Sequence, residues 1–300
     1  MAAAPVILVT GKDGQVGNAL LAALRPHGTV VATSRVECDL ADPESLANAV
    51  HTARPDIIVN AAAYTAVDRA ESDRELAFAV NTAAPGILAE LAERSGAVLI
   101  HYSTDYVFDG TKSWPYREDD ATNPLSVYGA SKRDGEAAVR AALPQHLILR
   151  TSWVFGAHGA NFLKTMLRLA HERDTLTVVS DQFGAPTSAD LIAQTTARLV
   201  GAIIQAKTTV PYGIYHLSAG GETSWHGFAA DLIARARALG MPVRVGNDAV
   251  RAIPTSAYPT PAKRPANSRL DTAKLRANFG LDLPPWQDGV RTVLETLARS

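Results

Sequence analysis

Val6-Ile-Leu-Val-Thr10 runs directly into Gly11-Lys-Asp-Gly14-Gln-Val-Gly17, and the reading of this junction decides the fold. The apolar run reads as a buried strand, and a helical pattern follows from about Gln15 to Leu24. Glycines between a strand and a helix permit a tight turn. They also let the backbone approach a pyrophosphate, whose charge then faces the positive end of the helix. The spacing is G-x-x-G-x-x-G rather than G-x-G-x-x-G, but the physics of turn and approach is the same. Gly11, Gly14 and Gly17 therefore point to a dinucleotide, provided that the junction opens a βαβ unit.

The chain beyond supplies that context. Val30–Thr33 reads as a second strand. Asp42-Pro43-Glu44 opens a helix, with Asp as cap, Pro at the first position and Glu in the first turn. Ile57–Val59, Val98–Ile100 and Leu147–Leu149 read as further strands, with a helix from about Arg74 to Glu93 between the first two. This alternation argues for a parallel sheet covered on both faces. The expected fold is α/β, a Rossmann-type doubly wound parallel sheet with a smaller C-terminal substrate-binding domain. Residues 1–152 form the dinucleotide-binding part, with about 187–218 returning to it, and 153–300 are mainly substrate-binding. Helices are expected at Asn161–His171, Ala189–Gln205 and Trp225–Leu239, and strands near Leu176–Val179 and Gly213–Leu217. Residues 242–270 carry many prolines and read as loop, the kind of segment that contacts substrate on a rigid core.

Composition narrows the class. With 29 basic and 30 acidic residues the formal charge is −1, so nothing asks for a nucleic-acid backbone or an anionic membrane. Cys38 is the only cysteine, which excludes an intrachain disulfide and a cysteine-rich metal cluster. The first ten residues lack the basic start and longer apolar stretch of a signal peptide, and no apolar run reaches membrane-spanning length. A cytoplasmic setting is expected.

The end of the second strand is where the nicotinamide dinucleotides are told apart. An acid there binds ribose hydroxyls, and a nearby Arg takes an extra phosphate. Ser34-Arg35 stands at that place, with no acid before Glu37, which favours NADPH while leaving NADH open. Asp39-Leu40 lies where it can flank an adenine. Asn60-Ala61-Ala62-Ala63 ends the third strand with side chains small enough for a cofactor to cross, or for a helix to pack closely.

Tyr128 and Lys132, in Val127-Tyr-Gly-Ala-Ser-Lys132, share one face if this stretch is helical. A free phenol has a pKa of about 10. A nearby ammonium favours the phenolate and lowers that value, so the pair can exchange a proton with a substrate oxygen. The bland reading is a Tyr packed on a Lys stem. The order Gly-rich turn, Asp39-Leu40, Asn60–Ala63, Ser103-Thr104-Asp105, Tyr128, Lys132 argues for the former. It resembles the extended short-chain dehydrogenase/reductases, whose Ser/Thr, Tyr and Lys match Thr104, Tyr128 and Lys132.

Longer strings sharpen the resemblance: Val59–Glu71, His101–Gly110, Arg150–Phe155, Asp181–Thr187 and Arg264–Leu270 are similar to the dTDP-4-dehydrorhamnose reductases. That family reduces the 4-keto group of a dTDP-bound 6-deoxyhexulose. The resemblance implies cofactor contacts from Gly14-Gln15-Val16, Ser34, Asp39-Leu40, Ala63-Tyr64-Thr65, Tyr102 and Lys132. It implies a dTDP-sugar facing Thr104, Asp105, Tyr128 and Trp153. Asp105 either bonds sugar hydroxyls or braces its loop. Trp153 stacks on the sugar or fills core. Arg264 and Asn267 are placed to reach a diphosphate, since Arg forks suit phosphate oxygens, or else sit in surface contacts. His101 reads as a satisfied buried imidazole.

Some members of the family hold Mg2+ between subunits through acids, one of them shortly after the Gly-rich loop. Here that stretch reads Gly17-Asn18-Ala19-Leu20 and has no carboxylate; Asp190 offers an acid from elsewhere. A site short of a hard oxygen ligand holds a cation poorly. The expectation is no essential metal and no metal-linked dimer, with a homodimer by other contacts left open. Two rival readings remain: another sugar-nucleotide reductase or epimerase on the same scaffold, or a non-catalytic dinucleotide-binding regulatory subunit, which would have no need of Thr104, Tyr128 and Lys132 together.

Overall fold

The computed structural model describes residues 4–206, 209–246 and 248–299. Strands β1 (Val6–Thr10), β2 (Thr29–Thr33), β3 (Ile57–Asn60), β4 (Val98–Thr104), β5 (His146–Thr151) and β6 (Gly213–His216) form one sheet in the order β2-β1-β3-β4-β5-β6. Every neighbouring pair is parallel. The chain winds one way from β1 to β2, crosses back to β3 and then winds the other way. The switch point therefore lies between β1 and β3, where doubly wound sheets hold ligands outside the carboxyl ends of their strands.

Strand alternation separates the two faces. Ile7, Val9, Ile100 and Leu149 pack with Leu20 and Leu24 of helix α1 (Gln15–Leu24) and with Ile192 and Leu199 of the helix Ala189–Ala206. Leu8, Ile58, Leu99 and Ile148 face the other way. They meet Leu46 of α2 (Pro43–Ala53), Leu88 of α3 (Ala84–Ser95) and Val139 of α4 (Val127–Ala142). A separate apolar cluster gathers Phe155, Leu163, Phe228, Leu232, Trp286 and Val290 from later parts of the chain.

The capping signals act as read: Asp42 accepts from the Glu44 amide at 3.0 Å, ahead of Pro43 at the first helical position. Elsewhere the structure departs from expectation. The helix read across Arg74–Glu93 is interrupted by a π-helical turn at Ala79–Ala83, ahead of α3. Pro85 has no N–H to give the carbonyl four residues back, that of Asn81, so the ladder slips there. Within 242–270, Val250–Ile253 forms a strand paired in parallel with Leu176–Val179, against the expectation of plain loop. Beyond residue 270 the chain forms two further helices, Ala273–Phe279 and Trp286–Arg299.

Helix α4 is seated by charge as well as by apolar packing. Arg150 of β5 grips Glu136 through Nε at 2.8 Å and Nη2 at 2.7 Å, and Ser103 of β4 donates to the same carboxylate at 2.5 Å. Both charged side chains are less than 5 % exposed. Removing one partner strands the other charge in the interior, which costs about 3–5 kcal/mol. Glu136→Ala is expected to lower unfolding free energy by about that amount, measured as the shift of the urea midpoint at constant m-value.

Candidate active site

At the switch point the glycines are required by contact. A Cβ on Gly17 would stand 2.0 Å from the Gly11 carbonyl oxygen, and one on Gly11, whose φ is +77°, would stand 2.8 Å from the Ala62 Cα. The first turn, α1 and the end of β3 thus close on one another only without side chains. Gln15 and Val16 begin α1, and Gln15 accepts from Asn161 at 2.9 Å, which ties the loop to the segment after β5. Ser34, Arg35, Asp39 and Leu40 follow β2, and Ala61–Thr65 follow β3. All of these sit at the carboxyl edge of the sheet on either side of the switch point.

Tyr64 and Thr65 lie in the loop after β3, which needs a clamp from elsewhere in the chain. Asn81, buried in the π-helical turn, provides it. It accepts from the Tyr64 amide at 2.9 Å and donates to the Tyr64 carbonyl and to Ser131 of α4, each at 3.0 Å. Its only sequence signal is an amide set among alanines and valine. Tyr102 corrects an expectation in detail. Its hydroxyl points into the core, 2.6 Å from Thr196, and what it offers the site is its carbonyl.

That carbonyl accepts from the Lys132 ammonium at 2.6 Å, and the His101 Nε2 lies 3.1 Å from the same nitrogen. His101 Nδ1 lies 3.1 Å from the Asn60 amide, which accepts from Thr10 at 2.7 Å. Four polar side chains from β1, β3, β4 and α4 so satisfy one another, with none more than 2 % exposed. His101 is the expected satisfied imidazole. Burial holds it well below its usual range, with Lys132 adding to the effect, and so keeps it neutral.

Thr104 ends β4, and Tyr128 stands in the first turn of α4, capped by Ser126. A Cβ on Gly129 would come within 2.2 Å of the Tyr106 carbonyl oxygen, so this glycine lets α4 press against the turn that follows Thr104. Tyr106 and Tyr128 meet edge to face at 5.6 Å. Tyr128 and Thr104 share a hydrogen bond. The expected lowering of the Tyr128 pKa by Lys132 is not seen. Tyr128 is half-buried as a residue, but its hydroxyl lies deep, and the lost hydration outweighs the Thr104 bond and carries the phenol to about 12. Burial likewise pushes Lys132 down, to about 8, against the pull of Glu136. At neutral pH the phenol keeps its proton, which suits a donor.

Around Tyr106 lie polar atoms with no partner among the described residues: Asp105 Oδ2 and Arg264 Nη1, with Thr151 Oγ1 beside Thr104 in register on β5. Asp105 Oδ1 accepts from Thr104 at 3.0 Å. Arg264 is aimed by Asp68 at 2.7 Å, leaving its other fork nitrogen open. Thr151 escaped the sequence reading; its signal was its place at a strand end. Asn267 has a different job from the diphosphate contact expected of it. Its amide nitrogen donates to the Lys112 and Trp114 carbonyls and its oxygen accepts from Arg269, so it braces the loops. Trp153 stacks on Trp225 at 3.6 Å and is half-buried at the rim of the second apolar cluster.

The residues named for a cation do not assemble one site. Asn18 occupies the early turn of α1, Asp190 is exposed at the start of Ala189–Ala206, and no group of three or more His, Cys, Asp or Glu among the described residues is placed to hold a metal. A cavity of about 1080 Å3 is lined by Arg117, Arg133, Arg140, Arg150 and Lys274 and by neither Thr104 nor Tyr128. Its basic side chains are matched by the acids that line it with them, among them Glu118, Asp120 and Asp271. No helix among the described residues is long and apolar enough to cross a membrane.

Sheet, glycine cradle and Thr-Tyr-Lys group together define an oxidoreductase on a Rossmann-type fold. A family model described as RmlD substrate binding domain matches residues 5–299. The dTDP-4-dehydrorhamnose reductase of Burkholderia thailandensis is 51 % identical over 286 residues, 95 % of this chain and 96 % of that one. That of Salmonella typhimurium is 49 % identical over 292 residues, 96 % of each. The crystal structure of dTDP-4-dehydrorhamnose reductase from Bacillus anthracis, in complex with NADP, superposes with a TM-score of 0.86 at 34 % identity, over 97 % of this chain and 99 % of that one. The chain belongs to the dTDP-4-dehydrorhamnose reductase family.

The buried Asp105 carboxyl has a consequence for stability. Burial raises its pKa from 3.8 to about 6, so the native state holds this proton more tightly than the unfolded chain does. Stability therefore falls as pH rises from about 3.8 through about 6. Asp105→Asn is expected to remove that slope and to raise unfolding free energy at pH 7 by up to about 3 kcal/mol, read from denaturation midpoints across the pH range.

Proposed function

We propose that this chain reduces the 4-keto group of dTDP-4-dehydro-6-deoxy-L-mannose to give dTDP-L-rhamnose, with NADPH as reductant and NADH as a second cofactor. The observation that carries the reading is a half-buried, protonated Tyr128 with its hydroxyl beside Thr104, one turn from Lys132, at the carboxyl edge of a doubly wound sheet.

The cofactor, when bound, supplies the hydride. Gly11, Gly14, Gln15, Val16 and Gly17 would hold its pyrophosphate, Ser34 and Arg35 its adenosine ribose, Asp39 and Leu40 its adenine, and Ala61–Thr65 its path across the strand ends. The cradle suits such a group because a Cβ at Gly11 or Gly17 would fill it.

In the reaction the carbonyl double bond gives way to one C–H and one O–H bond. Tyr128 donates its proton to the oxygen and becomes a phenolate. Lys132, fixed by the Tyr102 carbonyl and His101, keeps a positive charge one helical turn away and eases that change. Thr104, whose hydroxyl oxygen accepts from the Tyr106 amide, turns its one proton from Asp105 to the same substrate oxygen. Asp105 Oδ2, Thr151 Oγ1 and Arg264 Nη1 present unused hydrogen-bonding capacity to the sugar nucleotide, and Trp153 forms part of its wall. The reading also takes residues 1–152, with about 187–218, as the dinucleotide-binding part and 153–300 as mainly substrate-binding, in a cytoplasmic protein. The place of β6 in the main sheet supports that division.

The test is oxidation of the reduced cofactor in the presence of dTDP-6-deoxy-L-lyxo-4-hexulose, one equivalent per sugar, which separates reduction from epimerisation. Tyr128→Phe keeps the ring and removes the proton. Its kcat is expected to fall by about 10²–10⁴-fold, with the cofactor Kd within about twofold of wild type. Near wild-type turnover would refute the role given to Tyr128.

A further inference from the structure

We propose that Glu37 sets the choice between the two nicotinamide dinucleotides, by occupying the corner at the end of β2 where their one difference, a ribose hydroxyl against a phosphate, would lie. The inference deepens the reductase reading and rests on it for its assay.

The corner is built by backbone. The Gly11 and Lys12 amides both donate to the Thr33 carbonyl, at 2.9 and 3.0 Å, which lays Lys12 over the end of β2. Glu37 folds back onto the same point. One carboxylate oxygen accepts from the Lys12 ammonium at 2.5 Å and from the Ser34 amide at 2.6 Å. Arg35 stands alongside, its side chain 74 % exposed and 3.7 Å from Asp39, free to swing. Lys12, the Ser34 amide and Arg35 are the donors that a phosphate wants, and Glu37 already holds two of them. The Lys12 bond keeps Glu37 down at about 2, so the carboxylate is ionised at any working pH.

The two cofactors meet this corner differently. A ribose diol has O–H groups to give, and a carboxylate accepts them while its bond to Lys12 stands. A phosphate is an anion. It has to displace the carboxylate from Lys12 and Ser34 before it takes them, together with Arg35. Exposed ion pairs are weakly held, so the displacement is open to NADPH but not free. Glu37 thus favours NADH and offsets the preference for NADPH that Arg35 confers. As sequence, Glu37 is only a charge beyond the strand. The turn that brings it back to Ser34 gives it this role.

The test is the ratio of kcat/KM for NADPH to that for NADH, with the ketosugar saturating, and the Kd of each reduced cofactor by fluorescence. Glu37→Gln removes the charge and keeps the shape, and is expected to raise the ratio about tenfold, because a close like charge no longer opposes the phosphate. Arg35→Leu and Lys12→Met are expected to lower it by a similar factor. A ratio within about twofold of wild type in Glu37→Gln, with both cofactors still bound, overturns the inference about Glu37 alone. A wild-type protein that binds neither dinucleotide overturns the reductase reading with it.

Discussion

Helix α4 buries two opposite charges, Lys132 and Glu136, on one face, and the rest of the site depends on how they are satisfied. A buried charge must find partners or lose its proton. Glu136 finds Arg150 and Ser103; Lys132 finds the Tyr102 carbonyl and His101. The partners come from β4 and β5, so the helix has one rotation and one height at which both charges are met. Tyr128 lies four residues before Lys132 on the same face. Its distance from Thr104 is therefore fixed by electrostatics two turns further along. Gly129 and Gly135 complete the seat by letting α4 touch the Tyr106 and Asn81 backbones, where a Cβ would stand 2.2 and 2.0 Å from their carbonyl oxygens.

Burial also settles the protonation states. An ammonium near a phenol is expected to favour phenolate, but here the lost hydration of both groups dominates, and each is driven toward its neutral form. At neutral pH the phenol keeps its proton in consequence. The resting site therefore holds no phenolate. Asp105 shows the same pressure, a carboxyl held near Thr104 with one oxygen unmatched.

What the sequence made legible was periodic or local. Strand runs, the Asp42-Pro43 cap and the Gly11–Gly17 turn declare themselves through spacing and chain stereochemistry, and they sufficed for the sheet and the cofactor edge. The Thr104, Tyr128 and Lys132 group was legible through order along the chain. What stayed hidden depends on contacts between distant segments. The π-helical turn at Asn81 follows from Pro85, but its use in clamping Tyr64 requires α4 to be in place. The side on which Tyr102 falls is decided by strand alternation, which sends its hydroxyl to Thr196. Asn267 and Arg264 sit three residues apart in one loop. One is consumed by the carbonyls of Lys112 and Trp114, and the other is aimed by Asp68 across 196 positions of sequence. No local pattern distinguishes them.

Trp153 joins the sheet to the second apolar cluster. It is one of two non-glycine residues with positive φ among those described, at +48°, a conformation that costs an L-residue roughly 1–2 kcal/mol. The surroundings enforce it. Its indole stacks on Trp225 at an interplanar angle of 11°, and Gly184 leaves room where a Cβ would stand 2.6 Å from the ring. Without that strain the chain leaving β5 would not turn its indole toward Trp225. With it, the indole is held at the boundary between the sheet that carries Thr104 and Tyr128 and the second apolar cluster. The indole thus ties the chain leaving β5 to a core separate from the sheet, while Tyr128 keeps the place that α4 gives it beside Thr104.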